Sequence, residues 1–155
     1  MNVRGVYIPI NRVHKNKKTL DINFHRSSRS SYFSVGDSVW FIADETVQRI
    51  VGGTVQQLAN RYDKDKNLMG YTVTLDKEVP MEVDERFFME NASWNPDLLI
   101  KNCHIGRRNR ARGILVTTAG KVVIENNYFS TAGTAILMEG DIDYWYEAGA
   151  LRDVS

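Results

Sequence analysis

Three carboxylates occupy every second position near the C-terminal end of the chain, Glu139, Asp141 and Asp143, within the stretch "AILMEGDIDYWYEAGALRDVS". In an extended backbone, alternate residues share a face at about 6.6–6.8 Å. That spacing lies inside the roughly 6.5–9.5 Å between an acid and a base that admit a water to a glycosidic carbon, and outside the ~5–5.5 Å at which a carboxylate attacks that carbon itself. Neighbouring carboxylates also raise one another's proton affinity, so that one serves as acid and another as base. Tyr144 and Trp145 follow directly, flat apolar surfaces suited to stacking on a sugar ring, with polar tips for its hydroxyls. Tyr146 and a fourth acid, Glu147, complete the cluster.

Each of these residues has a duller role open to it. A lone acid in a loop is a solvated charge, and an aromatic is often buried beneath its loop, so the case rests on the set. Clustered carboxylates also suit Ca²⁺, but the spacing is not that of an EF-hand loop, and neither a metal nor another cofactor is expected. The basic counterpart is "HIGRRNRARG", with Arg107, Arg108, Arg110 and Arg112. Arg110 and Arg112 are the candidates for pairing with the acids or binding substrate oxygens. His104 reads as structural. The arginines lack interleaved aromatics, and 20 Lys+Arg balance 19 Asp+Glu for a formal charge of +1, so nucleic acid is not the expected partner.

The elements that must position these groups show as a repeat. "LLIKNCHI" (98–105) aligns with "VVIENNYF" (122–129) at a step of 24 (124 − 100), and "RGILV" (112–116) with "TAILM" (134–138) at 22 (136 − 114). Two strands recurring in order, with Asn102 and Asn126 at the corner after the first, predict coils of a right-handed parallel β-helix in which the Asn side chains stack as a ladder. Val154 in "LRDV" then matches Val123, a longer step of 31 (154 − 123). The excess falls in "GDIDYWYEAGA", as residues added to a solenoid bulge from one corner, often on the binding face.

Residues 1–92 read differently, as short strands such as "SVWFIA", "GGTVQQL" and "MGYTVTL" between polar turns, and predict a small antiparallel β-barrel. Gly36 and Asp37 mark a tight turn. The best helical candidate is 44–53, "DETVQRIVGG", with an acid at its start and glycines at its end. The chain is therefore expected to be all-β, a barrel module at 1–92 followed by a partial β-helix at 93–155. Its 43% hydrophobic content supports a real core. The single cysteine, Cys103, excludes an internal disulfide and is expected to be buried. No stretch approaches the roughly 20 apolar residues of a membrane span, no signal peptide opens the chain, and no membrane partner is expected. Strand patterns run up to both termini, as in an excerpt of a longer protein, whose open β-helix end would invite self-association.

The stretch 90–154, above all "RARGILV" and "EGD…YWYEAG", resembles the family 110 glycoside hydrolases, bacterial exo-α-1,3-galactosidases acting on terminal galactose of blood-group-B-type and linear α-1,3-galactosyl glycans. Residues before Glu90 resemble, less specifically, the barrel module of those enzymes. The resemblance implies a right-handed parallel β-helix, an inverting mechanism run by two aspartates, no metal, a terminal α-galactosyl glycan as partner, and a secreted or periplasmic parent protein. It makes Asp141 the first choice of catalytic carboxylate, with Glu139 next and Asp143 in the same segment. The remaining catalytic acid belongs to a following coil, so the chain alone is expected to be inactive. Two other classes fit the residues themselves: a carbohydrate-binding or adhesion module that grips a glycan without cleaving it, and a polyuronate-cleaving enzyme, whose anionic substrate the acids disfavour.

Overall fold

The computed structural model describes residues 1–24, 32–106, 112–140, 147–148 and 151–155. Among them every regular element is a strand and none is a helix long and apolar enough to cross a membrane. Two compact units emerge, Val6–Ser93 and a second made of Met1–Gly5 with Trp94–Ser155.

Six strands build the first unit: β1 (Asn2–Val13), β2 (Thr19–Asn23), β3 (Ser38–Ala43), β4 (Arg49–Tyr62), β5 (Leu68–Leu75) and β6 (Phe87–Asn91). They pair antiparallel in the order β1-β2-β5-β4-β3-β6. β6 then returns to β1, with Tyr7 opposite Glu90 and Pro9 opposite Phe88, which closes the ring. Side chains alternate across each strand, so Leu20, Ile22, Val39, Phe41, Val73 and Leu75 fill the interior together with Ile8, Ile10 and Met89. Gly36 supplies the expected turn: its φ of 96° lies where glycine is strain-free, and the Asp37 carboxylate accepts the Ser34 N–H at 2.8 Å.

The helix expected at 44–53 is absent. Residues 44–46 form a turn and β4 begins at Arg49. Gly52 is no helix terminator but a close-approach position, where an added Cβ would lie 2.7 Å from Val39 Cγ2 and 2.8 Å from Val39 O. The β3–β4 register shifts beside it, between Ser38 and Trp40.

The second unit is a stack of parallel pairings. Its strands are β7 (Leu98–Lys101), β8 (His104–Gly106), β9 (Ile114–Thr117), β10 (Lys121–Glu125), β11 (Tyr128–Ser130), β12 (Ile136–Leu137), β13 (Glu147–Ala148) and β14 (Asp153–Val154). β10 lies on β7 with Ile124 opposite Ile100, β11 on β8 with Phe129 opposite Ile105, and β12 on β9 with Ile136 opposite Ile114. The steps of 24 and 22 residues therefore describe real neighbours. The start of β1 joins this unit, since Asn2 and Arg4 pair in parallel with Leu115 and Thr117. Ile100, Ile114, Val116 and Val122 form its buried core.

Three details differ from expectation. Val154 lies opposite Val122, not Val123, a step of 32 (154 − 122), held by the Ser155 N–H to Val122 O at 3.0 Å and the Ile124 N–H to Ser155 O at 2.8 Å. Asn102 and Asn126 occupy the corners in left-handed backbone, φ 55° and 51°, but the side chain that clamps successive tiers is Asn127. Its Nδ2 donates to Ile100 O at 2.8 Å and its Oδ1 accepts the Cys103 N–H at 2.8 Å. Cys103 itself is exposed, because it follows the corner at Asn102 and turns outward, its thiol 3.3 Å from Lys101 O.

Candidate functional site

Asp141, Asp143, Tyr144, Trp145 and Arg110 lie outside the described residues, as do Arg107 and Arg108. Glu139 is exposed just beyond β12, Arg112 is exposed just before β9, and the backbone of Glu147 opens β13. Arg112 and Glu139 therefore stand at opposite ends of the β9–β12 pair and are not brought together. The two strands flanking 141–146 are both anchored: β12 on β9 and β13 on β1.

That anchoring defines a row of side chains. Ile114 and Val116 turn into the core, so the period of two sends Leu115 and Thr117 to the opposite face of β9. Arg4 lies beside Thr117 on one side. On the other, β12 pairs with β9 as far as Leu137 on Leu115, and Glu139 follows two residues beyond that last pair. Arg4 and Thr117 thus face each other on adjacent strands, about 4.8 Å apart along the stack. Arg4 and Glu139 are exposed, whereas Thr117 is 0% exposed and its Oγ1 has no hydrogen-bond partner among the described residues.

Arg4 had no sequence signal, because its strand partner lies more than a hundred residues away in the chain. His104 is exposed on β8, with the Tyr128 ring edge-on to it at 4.7 Å and 89°. No group of three His, Cys, Asp or Glu among the described residues is arranged to hold a metal ion.

A second polar cluster sits on the ring. The Asp21 carboxylate accepts the Thr72 hydroxyl at 2.6 Å, with His14 Nε2 at 3.2 Å and Arg61 Nε at 3.8 Å. Burial pushes this carboxyl up, but the Thr72 hydrogen bond, His14 and Arg61 outweigh it and hold the group below the usual carboxylate range. With its oxygens so engaged, Asp21 ties β2 to β4 and β5 and is not poised to take a proton from a substrate.

No family model matches the chain. Curated relatives do. The chain is 35% identical, across its whole length, to an alpha-1,3-galactosidase B of Bacteroides fragilis, and 41% identical over 74% of its length to an alpha-1,3-galactosidase B of Bacteroides thetaiotaomicron. An alpha-1,3-galactosidase A of Bacteroides fragilis is 37% identical over 81% of it. The chain is a homologue of bacterial α-1,3-galactosidases. It spans 27%, 19% and 20% of the length of these three relatives, respectively. The similarity includes the repeat and the acidic segment, since it runs the full chain in the first of them.

Proposed function

We propose that this chain is part of an inverting exo-α-1,3-galactosidase that hydrolyses terminal α-1,3-linked galactose from glycans. The observation that carries the reading is the identity to named α-1,3-galactosidases along the entire chain. Asp141 is the first catalytic carboxylate, with Glu139 and Asp143 beside it. Tyr144 and Trp145 stack on the galactose ring, while Glu147, Arg110 and Arg112 bind its oxygens. The parallel tiers belong to a right-handed β-helix at 93–155, and the ring is the barrel module at 1–92. A carboxylate stacked one tier away would stand only about 4.8 Å from its neighbour, too close for inversion, so the second catalytic acid takes a diagonal or bulged position in a further tier. The isolated chain is therefore inactive, and the whole enzyme is secreted or periplasmic, where such glycans are met.

The test restores the sequence to the length of the relatives and assays galactose release from α-1,3-galactosyl disaccharides with wild type and Asp141→Asn. Retained glycan binding with turnover reduced by a factor of at least about 10³ supports the assignment, since removing an acid or base commonly costs 10²–10⁴. Unchanged turnover removes Asp141 from the site. Binding without turnover in wild type would point instead to a glycan-binding module.

A further inference from the structure

We propose that the free edges of β7 and β8 receive two parallel strands from the polypeptide that runs into β1, so that the segment ahead of Met1 in the parent protein builds the tier before this one. It rests on the chain being part of a longer galactosidase homologue, and on no catalytic assignment.

The starting observation is an unequal edge. In each of three sheets the second tier lies on the first: β10 on β7, β11 on β8 and β12 on β9. Only the third sheet goes one tier further back, where Asn2 and Arg4 pair in parallel with Leu115 and Thr117 on the side of β9 away from β12. The pairing reaches Met1 itself, whose nitrogen donates to Gly113 O at 2.8 Å, a bond that a peptide N–H makes equally well. The start of β1 is therefore the third strand of an earlier tier. Among the described residues no strand takes the corresponding places beside β7 and β8, each of which pairs on one side alone. Such an edge of unpaired backbone N–H and C=O groups is a template for a further strand.

Strand order selects the occupant. In both complete tiers the chain passes through the first and second sheets before it enters the third, as β7-β8-β9 and then β10-β11-β12. A tier whose third strand is 2–4 thus takes its first two strands from the residues just before them. The relatives are several times longer than this chain, which leaves room for such a segment. The surface that would receive it is apolar: a cavity whose lining includes Met1, Leu99, Ile100 and Ile105 takes no residue from β10, β11 or β12, so it opens on the face of the first tier away from the second. Cys103 also lines it and is exposed. Its counterpart one tier on, Asn127, clamps the tier behind through Ile100 O and the Cys103 N–H, whereas a thiol makes no such clamp.

The experiment uses the full-length protein and reads Cys103. In wild type its alkylation by iodoacetamide, followed on the peptide by mass spectrometry, should be at least about 100-fold slower than in the same protein unfolded in urea, as for a group reached only by local opening. The register also sets the site of a cross-link. Leu115, opposite Asn2, lies 12 residues after Cys103 (115 − 103), and the matching step from Asn127 to Leu137 is 10 (137 − 127). A cysteine introduced 10–12 residues before Asn2 should therefore lie about 4.8 Å from Cys103 and form an intrachain disulfide with it under mild oxidation, lost in Cys103→Ser. Alkylation at the unfolded rate overturns the proposal, as does a full-length protein that opens at Met1. Protection with no cross-link at any of these positions overturns it too, since another part of the protein then covers the edge, and a cross-link between two chains assigns the edge to a second copy. Absence of turnover on α-galactosides bears on the hydrolase reading alone.

Discussion

The ring of Val6–Ser93 and the parallel tiers of Met1–Gly5 with Trp94–Ser155 bury their strands in opposite ways. In the ring each strand has a partner on both sides, and its core draws on all six. The tiers instead rest on whatever lies above and below: among the described residues β7 pairs only with β10 and β8 only with β11, and Leu99 on β7 is 68% exposed. A cavity of about 570 Å³ opens there, lined by Met1, Leu99, Ile100, Cys103, Ile105 and Gly113. A closed ring completes its own hydrogen bonding, whereas a stack draws stability from its neighbours. The stack has a compensating freedom: residues added between tiers leave its register intact, which is how the step grows from 24 to 32 around the acidic segment.

The sharpest break in this comparison comes from separating the units. Residues 6–93 alone are expected to unfold cooperatively on heating, and 94–155 alone to show no cooperative transition by circular dichroism; a folded 94–155 would mean the tiers need no neighbours. Next in size, Phe41→Ala in the closed core should cost about 3–5 kcal/mol in chemical denaturation, and Ile114→Val in the tiers about 0.5–1.5 kcal/mol, each the usual cost of that truncation in a packed core. Equal effects of a large truncation elsewhere in the tier core would blur the contrast.

Asp21→Asn comes third, at about 1–2 kcal/mol, through lost hydrogen bonds between β2 and β5. Its pH signature follows from the sign of the shift. Because the folded carboxyl titrates below its unfolded value of about 3.9, its contribution is complete above that pH and is lost as the pH falls through the folded value. The mutant should therefore lose less stability than wild type between about pH 5 and pH 2. The smallest effect belongs to the exposed Lys101–Glu125 pair between tiers, where Glu125→Gln should change stability by no more than about 0.5 kcal/mol and less still in high salt.

Much of this was legible because stacking imposes arithmetic on sequence. The steps of 24 and 22 could be read directly, since a parallel tier places like residues over like. Register at the insertion could not: two adjacent valines, Val122 and Val123, match Val154 equally well as letters, and only the backbone bonds of Ser155 choose between them. Adjacent asparagines hid a division of labour, Asn126 taking the left-handed corner and Asn127 making the clamp. Cys103 is exposed where burial is expected because a strand-like pattern conceals a corner. The glycines at 52 and 53 resembled a helix stop but serve cross-strand contact. For the site, Glu139 and its neighbours stood out by type and spacing, while Arg4 was invisible because proximity there is created by the fold alone.

The most direct test of the catalytic reading is the anomeric form of the first product, followed by proton NMR as the full-length protein acts on an α-1,3-galactosyl disaccharide. An inverting pair of carboxylates with water between them predicts that β-galactose appears first and mutarotates afterwards, and that Asp141→Asn abolishes its appearance. Initial release of α-galactose, or undiminished β-galactose from Asp141→Asn, would contradict it.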